Sequence, residues 1–259
     1  INDINGELVN FWRTLQNQCE EFKAREKYEM YAREIFEGYY KDFHAGIHSK
    51  LSNMERAFRF YYMIKCAFAS KFDAGWGYGP ARNIPQSFFN EFKHLDEITL
   101  RLKSVQIDNK DFEQLIKDYD RIDTLTFVDP PYIGADIDAQ YFKSMGTNNI
   151  VGFGLHDHQR LYKTLKGLKG KFILTIDNNT FIHERYCNGE QGSEGFYWIE
   201  NEVAYSSADK NNRKRVTELI ITNYDTNEII NQKKTESLKI ETITKETKLK
   251  GDTKSVLDY

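Results

Sequence analysis

The sequence predicts an α/β protein in which parallel strands open a sheet, an antiparallel hairpin closes it, and a mostly helical lobe is added. Three observations predict this. Near residue 103 the hydrophobic spacing changes from about 3.6 to short apolar runs alternating with helical text. Two strand-like runs near the end, 197–205 and 216–222, have no helical text between them. The first two-fifths read mostly as helix broken by polar turns, with a Gly- and Pro-dense stretch at 71–90.

The elements follow in order. Asn5-Gly6 precedes Leu8, Val9, Phe11, Trp12 and Leu15, which predicts a helix over 6–18 capped by Asn5. Ser52-Asn-Met-Glu55 reads as a capping box that opens an aromatic-rich helix over 53–69. From 71 to 90, Gly75, Gly77, Gly79, Pro80 and Pro85 predict an irregular surface loop of a kind that often carries function. A short strand at 105–107, a helix at 112–119, a buried strand at 125–128, a helix at 157–167 and a buried strand at 172–176 come next. Continuous apolar strands alternating with helices read as a parallel sheet. The polar stretch 206–215 turns the closing hairpin, and 226–259 reads as a polar tail or connector.

Composition sets limits. With 259 residues, 40% hydrophobic and 29% charged, the chain suits one domain, or one domain carrying an inserted lobe, and not a disordered segment. Its 36 Lys+Arg against 39 Asp+Glu give a net charge of -3, so contact with nucleic acid requires a local basic patch. Neither an apolar run long enough to span a membrane nor a leader pattern is present, which predicts a cytoplasmic protein. Cys19, Cys66 and Cys187 are far apart without CxxC spacing, so reduced thiols are expected and zinc or disulfide scaffolds are not.

Asp129-Pro130-Pro131-Tyr132 carries the strongest chemical signal, because it directly follows the strand at 125–128. Ligands of parallel sheets bind at the carboxyl ends of the strands. Two prolines fix φ and remove two amide donors, so a carboxylate, a directed carbonyl and an aromatic face are held together. Such a group can accept both hydrogens of an exocyclic amine while Tyr132 stacks on the ring that bears it. A proline-rich turn capped by Asp is the alternative for the tetrapeptide alone.

At this tetrapeptide the sequence resembles the D12-class, Dam-like N6-adenine DNA methyltransferases of the alpha arrangement. The resemblance runs to about residue 224 and includes Asn2-Asp3-Ile4-Asn5 with Leu8-Val9-Asn10-Phe11, Glu55 to Tyr62, Asn109-Lys-Asp111-Phe112, Phe153 to Leu165, Lys169 to Leu174 and Glu218 to Tyr224. It implies a Rossmann-like S-adenosylmethionine-dependent sheet formed by 1–19 and 103–225, with a target-recognition lobe at 20–102. It also implies that Asp3 holds the ribose of S-adenosylmethionine, that Ile4 packs on its adenine, and that Asp111 and Phe112 hold the other side of that adenine. Asp129, Pro130, Pro131 and Tyr132 would grip a flipped adenine in double-stranded DNA, with Asp129 also next to the donor. From the residues alone, Asp3 is a turn residue and Asp111 with Gln114 a helix-capping pair.

The family also has a Lys-Trp-x-Gly-Gly-Lys-like segment and a Phe-x-Gly-x-Gly loop ahead of the ribose-binding acid, and neither occurs in this sequence. The expectation is that an N-terminal segment or a complementing chain supplies them. Lys210, Arg213, Lys214 and Arg215 form a compact basic cluster expected to meet DNA phosphates, and Tyr78 and Arg82 are expected to contact DNA from the Gly-rich loop. A solvated loop and packing on the lobe are the respective alternatives. His156-Asp157-His158 opens a helix and reads as capping, His44 and His48 read as surface residues, and no metal is expected. Two other functions fit parts of the sequence: methylation of RNA or a protein amide, and a DNA-binding module without catalysis.

Overall fold

A computed structural model describes residues 1–70, 74–77, 84–133, 153–204 and 215–226. The chain divides into two compact units, Ile1–Asp120 with Pro131–Thr164, and Arg121–Pro130 with Leu165–Tyr259.

The first unit is helical. Helix α1 spans Gly6–Ala24 and starts where the Asn5 side chain accepts hydrogen bonds from the amides of Glu7 and Leu8. It leaves helical geometry at Gln18 (φ -139°, ψ 37°), so the expected helix over 6–18 is the first of two segments. Then come α2 (Arg33–His44), α3 (Asn53–Cys66), α4 (Ile84–Glu91), α5 (Leu95–Leu102), α6 (Phe112–Tyr119) and α7 (Leu155–Lys166). Leu15 and Phe22 of α1 are buried with Phe58, Phe60, Tyr61 and Tyr62 of α3 and with Phe88 and Phe92. Phe11 stacks on Tyr61 at 5.7 Å, and Tyr61 meets Phe92 edge-on at 5.3 Å. Offset and edge-on rings each add roughly 0.5–1.5 kcal/mol beyond burial, so the aromatic text of α3 is core text.

Several expectations change here. Helix α3 stops at Cys66, because Ala67 pairs with Trp76 in an antiparallel bridge. The expected loop over 71–90 gives way to α4 from Ile84, with Pro85 in the first turn, where its missing N–H costs nothing. Residues 105–107 form no strand, and the pairing falls one residue later as a parallel bridge from Asp108 to Asn2. Ser52 accepts the Glu55 amide at 3.2 Å, but the Glu55 carboxylate is taken by Arg25 and Arg59 instead of completing a capping box.

The second unit is built on a mixed sheet of β1 (Leu125–Val128), β2 (Lys171–Asp177), β3 (Tyr197–Ala204) and β4 (Arg215–Thr222), in the order β1-β2-β4-β3. Strand β1 runs parallel to β2 with Val128 opposite Leu174, whereas β4 is antiparallel to both β2 and β3. A parallel start and an antiparallel close were both legible in the sequence. On β2, Phe172, Leu174 and Ile176 are buried while Ile173, Thr175 and Asp177 share the other face. Helix α8 (Thr180–Tyr186), absent from the sequence reading, buries Ile182 and Tyr186, and Tyr186 packs on Phe196 at 5.2 Å. Strand β1 is not the buried strand expected, since it ends the sheet among the described residues and leaves Leu125 57% and Phe127 66% exposed. Gly170 lets the strands meet, because a Cβ there would lie 2.5 Å from the Arg121 carbonyl.

Candidate active site

In the first unit the structure brings together the two segments expected to hold the methyl donor. The chain at Asn2 runs parallel to that at Asp108. The Asn2 side chain donates to the Lys110 carbonyl at 3.0 Å and accepts from the Lys110 amide at 2.9 Å. Asn109 clamps the turn by donating to the carbonyls of Asp3 (2.8 Å) and Ile4 (3.1 Å). Asp3 and Ile4 are thereby fixed beside the start of α6, where Asp111 and Phe112 stand. Asn2 and Asn109 escaped the sequence reading, which treated them as neighbours of the acidic residues. An amide side chain with both a donor and an acceptor is the signal that fits such cross-linking.

The carboxylates show a common arrangement. Asp3 accepts the Asn5 amide at 2.7 Å through Oδ1, and its Oδ2 has no hydrogen-bond partner among the described residues. Burial pushes the Asp3 carboxyl above its ordinary value, and the bond from Asn5 offsets this in part. Asp111 caps α6, accepting the Glu113 amide at 3.0 Å through Oδ1. Gln114 turns forward to Asp118 instead of back to Asp111, so only the Asp half of the expected capping pair exists. Ile4 is 47% exposed, which leaves an apolar surface at the turn.

Arg160 of α7 organises this corner of the unit. Its guanidinium donates to Asp111 Oδ1 at 2.7 Å, to Glu113 at 3.1 Å and to Asp157 at 3.1 Å, and lies over the Phe112 ring at 4.8 Å. Planarity allows one guanidinium to ion-pair along its edge and stack with its face. Phe153 also meets the Phe112 ring, tilted, with centroids 5.4 Å apart. Arg160 was missed because it lies 49 residues from Asp111, within a stretch, 153–165, that carries the resemblance but was given no role at the site.

Asp129 and Pro130 belong to the second unit, and the division between units falls between Pro130 and Pro131. Asp129 follows the last residue of β1, so it stands at the carboxyl end of the parallel pair with β2. The Thr175 hydroxyl of β2 donates to Asp129 Oδ1 at 2.8 Å. Asp129 is exposed, Pro130 is buried, and Pro131 and Tyr132 are half-buried. Beyond β2, Asn179 caps α8 and donates to Asp177, and His183 pairs with Asn178 at 2.7 Å.

Of the expected DNA-contacting residues, Tyr78, Arg82, Lys210, Arg213 and Lys214 lie outside the described residues. Arg215 starts β4 and pairs with Glu202 at 3.1 Å across the hairpin. Trp76, inside the Gly-rich stretch, packs on Tyr31 at 4.6 Å, and the Gly77 amide donates to the Cys66 carbonyl at 2.7 Å. A Cβ at Gly77 would stand 2.9 Å from the Ala67 carbonyl, so the close approach needs glycine. Asp157 accepts the Gly154 amide at 3.0 Å, a capping bond at the start of α7. Among the described residues no three or more His, Cys, Asp or Glu side chains are grouped as a metal site. None of the described helices is long and apolar enough to cross a membrane.

His48 corrects the surface reading. It is fully buried, and its Nε2 lies 3.0 Å from the carboxylate of Glu7, which also pairs with Arg56. His44, in contrast, is exposed at the end of α2.

A sequence model of the D12 class N6 adenine-specific DNA methyltransferases matches residues 1–207. The chain is 29% identical over 236 residues to the type II methyltransferase M1.LlaDCHI of Lactococcus lactis subsp. cremoris, covering 86% of this chain and 78% of the relative. With the carboxylate at the end of β1 and a family match over most of its length, the chain belongs to the D12 class of N6-adenine-specific DNA methyltransferases.

Proposed function

We propose that this enzyme transfers the methyl group of S-adenosylmethionine to N6 of an adenine flipped out of double-stranded DNA, and that Asp129 to Tyr132 hold the adenine. The donor suits the residues of the first unit. Asp3 Oδ1 is committed to a backbone amide and Asp111 Oδ1 to a backbone amide and Arg160, which would leave Oδ2 of each for a ligand, while Ile4 is exposed and Phe112 half-buried beside them. Asp3 would take the ribose hydroxyls, Ile4 one side of the adenine, and Asp111 with Phe112 the other. When bound, the donor supplies an electrophilic methyl group on a sulfonium sulfur.

The chain's own residues would orient and stabilise. Asp129 and the Pro130 carbonyl accept the two hydrogens of the N6 amine, which draws its lone pair out of conjugation, and Tyr132 stacks on the base. The N–C bond forms as the sulfonium C–S bond breaks, and the surplus amine proton leaves by way of the hydrogen bond to Asp129. No covalent enzyme intermediate is needed, and alignment supplies several kcal/mol of the effect. The catalytic domain would comprise 1–19 and 103–225 and the recognition lobe 20–102, with Tyr78, Arg82, Lys210, Arg213, Lys214 and Arg215 meeting DNA. Similarity to a type II methyltransferase supports a role in restriction–modification. The unpaired thiols of Cys19, Cys66 and Cys187 accord with a cytoplasmic location.

The observation that carries the reading is the position of Asp129 at the carboxyl end of β1, beside β2. Asp129→Ala tests it. Loss of N6-methyladenine formation at an unchanged melting temperature is expected, and near-normal turnover overturns the assignment.

A further inference from the structure

Asp129 directly follows the last residue of β1, is exposed, and would be free to rotate about its own side-chain bonds unless something held it. Thr175 supplies that hold. A hydroxyl has one hydrogen to give, and two acceptors stand near Thr175 Oγ1: Asp129 Oδ1 at 2.8 Å and the Val128 carbonyl at 3.5 Å. The shorter distance and the charge on the carboxylate both direct the hydrogen to Asp129.

The donor is itself rigidly held. Thr175 lies inside β2, which pairs with β1 on one side and with β4 on the other, where Thr175 faces Ile220. A β-branched side chain in a strand has restricted χ1, so the hydroxyl has a fixed direction. Its neighbours Leu174 and Ile176 are fully buried on the opposite face, which pins the register of the strand and with it the face on which Thr175 stands.

We infer that Thr175 is a positioning residue for methyl transfer: its hydroxyl fixes Asp129 through Oδ1 so that Oδ2 is presented to the target amine. This role rests on the proposed role of Asp129 and deepens it. Asp129 would arrive at the reaction already oriented, with one oxygen occupied and one available. A carboxylate that had to find its orientation after the base arrived would lose part of the alignment on which the rate depends.

The test uses the full-length enzyme with S-adenosylmethionine and an adenine-containing duplex. Thr175→Val keeps shape and branching but removes the hydroxyl, and Thr175→Ser keeps the hydroxyl. A hydrogen bond to a charged group has an effect that corresponds to about 10- to 100-fold in rate. Thr175→Val is therefore expected to slow the single-turnover methylation rate by that factor, with donor affinity, DNA affinity and melting temperature unchanged. Thr175→Ser is expected to recover to within about threefold of the wild type. An unchanged single-turnover rate in Thr175→Val overturns the inference, as does a Ser variant as slow as the Val variant or a loss confined to binding. Asp129→Ala in parallel separates the two ideas: if it is inactive while Thr175→Val is normal, only the positioning role falls, whereas an active Asp129→Ala removes the basis of both.

Discussion

Glu7 in the helical unit and Asp129 at the end of β1 are both carboxylates with hydrogen-bonded oxygens, yet their surroundings are opposite. Glu7 is 4% exposed, and both of its oxygens are engaged, Oε1 by Arg56 and Oε2 by His48 and Arg56. Asp129 is exposed, with Oδ1 bound by Thr175 and no partner for Oδ2 among the described residues. Asp3, half-buried, and Asp111, exposed, likewise have Oδ1 bonded and no partner for Oδ2 among the described residues. A buried charge must be fully paired to be tolerated, whereas a ligand-binding charge must keep something unpaired. Under the proposed assignment, Glu7 holds the fold with both oxygens committed, whereas Asp3, Asp111 and Asp129 would each keep one oxygen for a ligand.

The largest effect that could break this comparison is on activity. Asp129→Ala should lower methylation by about a thousandfold or more, because it removes the acceptor proposed for the reacting amine, yet leave the melting temperature unchanged. Glu7→Gln should do the reverse. Removing one partner from a buried ion pair costs about 3 kcal/mol, so calorimetry should show a large fall in stability while the folded fraction methylates at the wild-type rate. Burial alone would push the Glu7 carboxyl up, but the hydrogen bonds from His48 and Arg56 outweigh it and hold the group below its ordinary 4.5. Its contribution is therefore full above that pH and disappears as the pH falls through the folded value. The stability gap between wild type and Glu7→Gln should close on acidification, and a gap that persists at low pH contradicts the assignment.

Arg160→Met sharpens the same distinction at smaller scale. Its three ion pairs involve side chains that are 25–44% exposed, so stability should change by less than about 1 kcal/mol. If Asp111 and Phe112 hold the donor as proposed, its affinity should fall by about tenfold, since they lose the group that orients them. Isothermal titration with S-adenosylmethionine measures this, and an unchanged dissociation constant removes Arg160 from the site.

Local chemistry in this chain was readable from sequence, and distant partnership was not. Asn5 capping α1, β1 over 125–128, α6 over 112–119 and the closing hairpin all follow from residues within a few positions of each other. The place of Asp129 directly after a strand was legible because strand and loop fall in one stretch of text. Thr175 and Arg160 lie 46 and 49 residues from the carboxylates they hold, and a lone Thr in an apolar run carries no outward sign of its partner. His48 failed for a related reason. It reads as a surface residue from its local text, whereas its partner Glu7 is 41 residues away. Even β1 was misjudged in burial, because an apolar run reports what a strand prefers and not whether a neighbour covers it.

The smallest effect concerns Arg215, where a surface ion pair competes with a proposed contact to DNA. Arg215 and Glu202 are 75% and 67% exposed and pair at 3.1 Å, so their bond adds little to stability. Arg215→Ala should change the unfolding free energy by less than about 0.5 kcal/mol. If Arg215 neutralises one phosphate, the same variant should reduce the slope of log K against log salt by about 0.9. Glu202→Ala gives the opposite test, because it removes the competing carboxylate and should tighten DNA binding at low salt while leaving the slope steep. The two variants must move affinity in opposite directions for the contact to exist. A common direction would mean that the hairpin affects binding through its shape, and that Arg215 belongs with the paired charges of the fold and not with those that meet DNA.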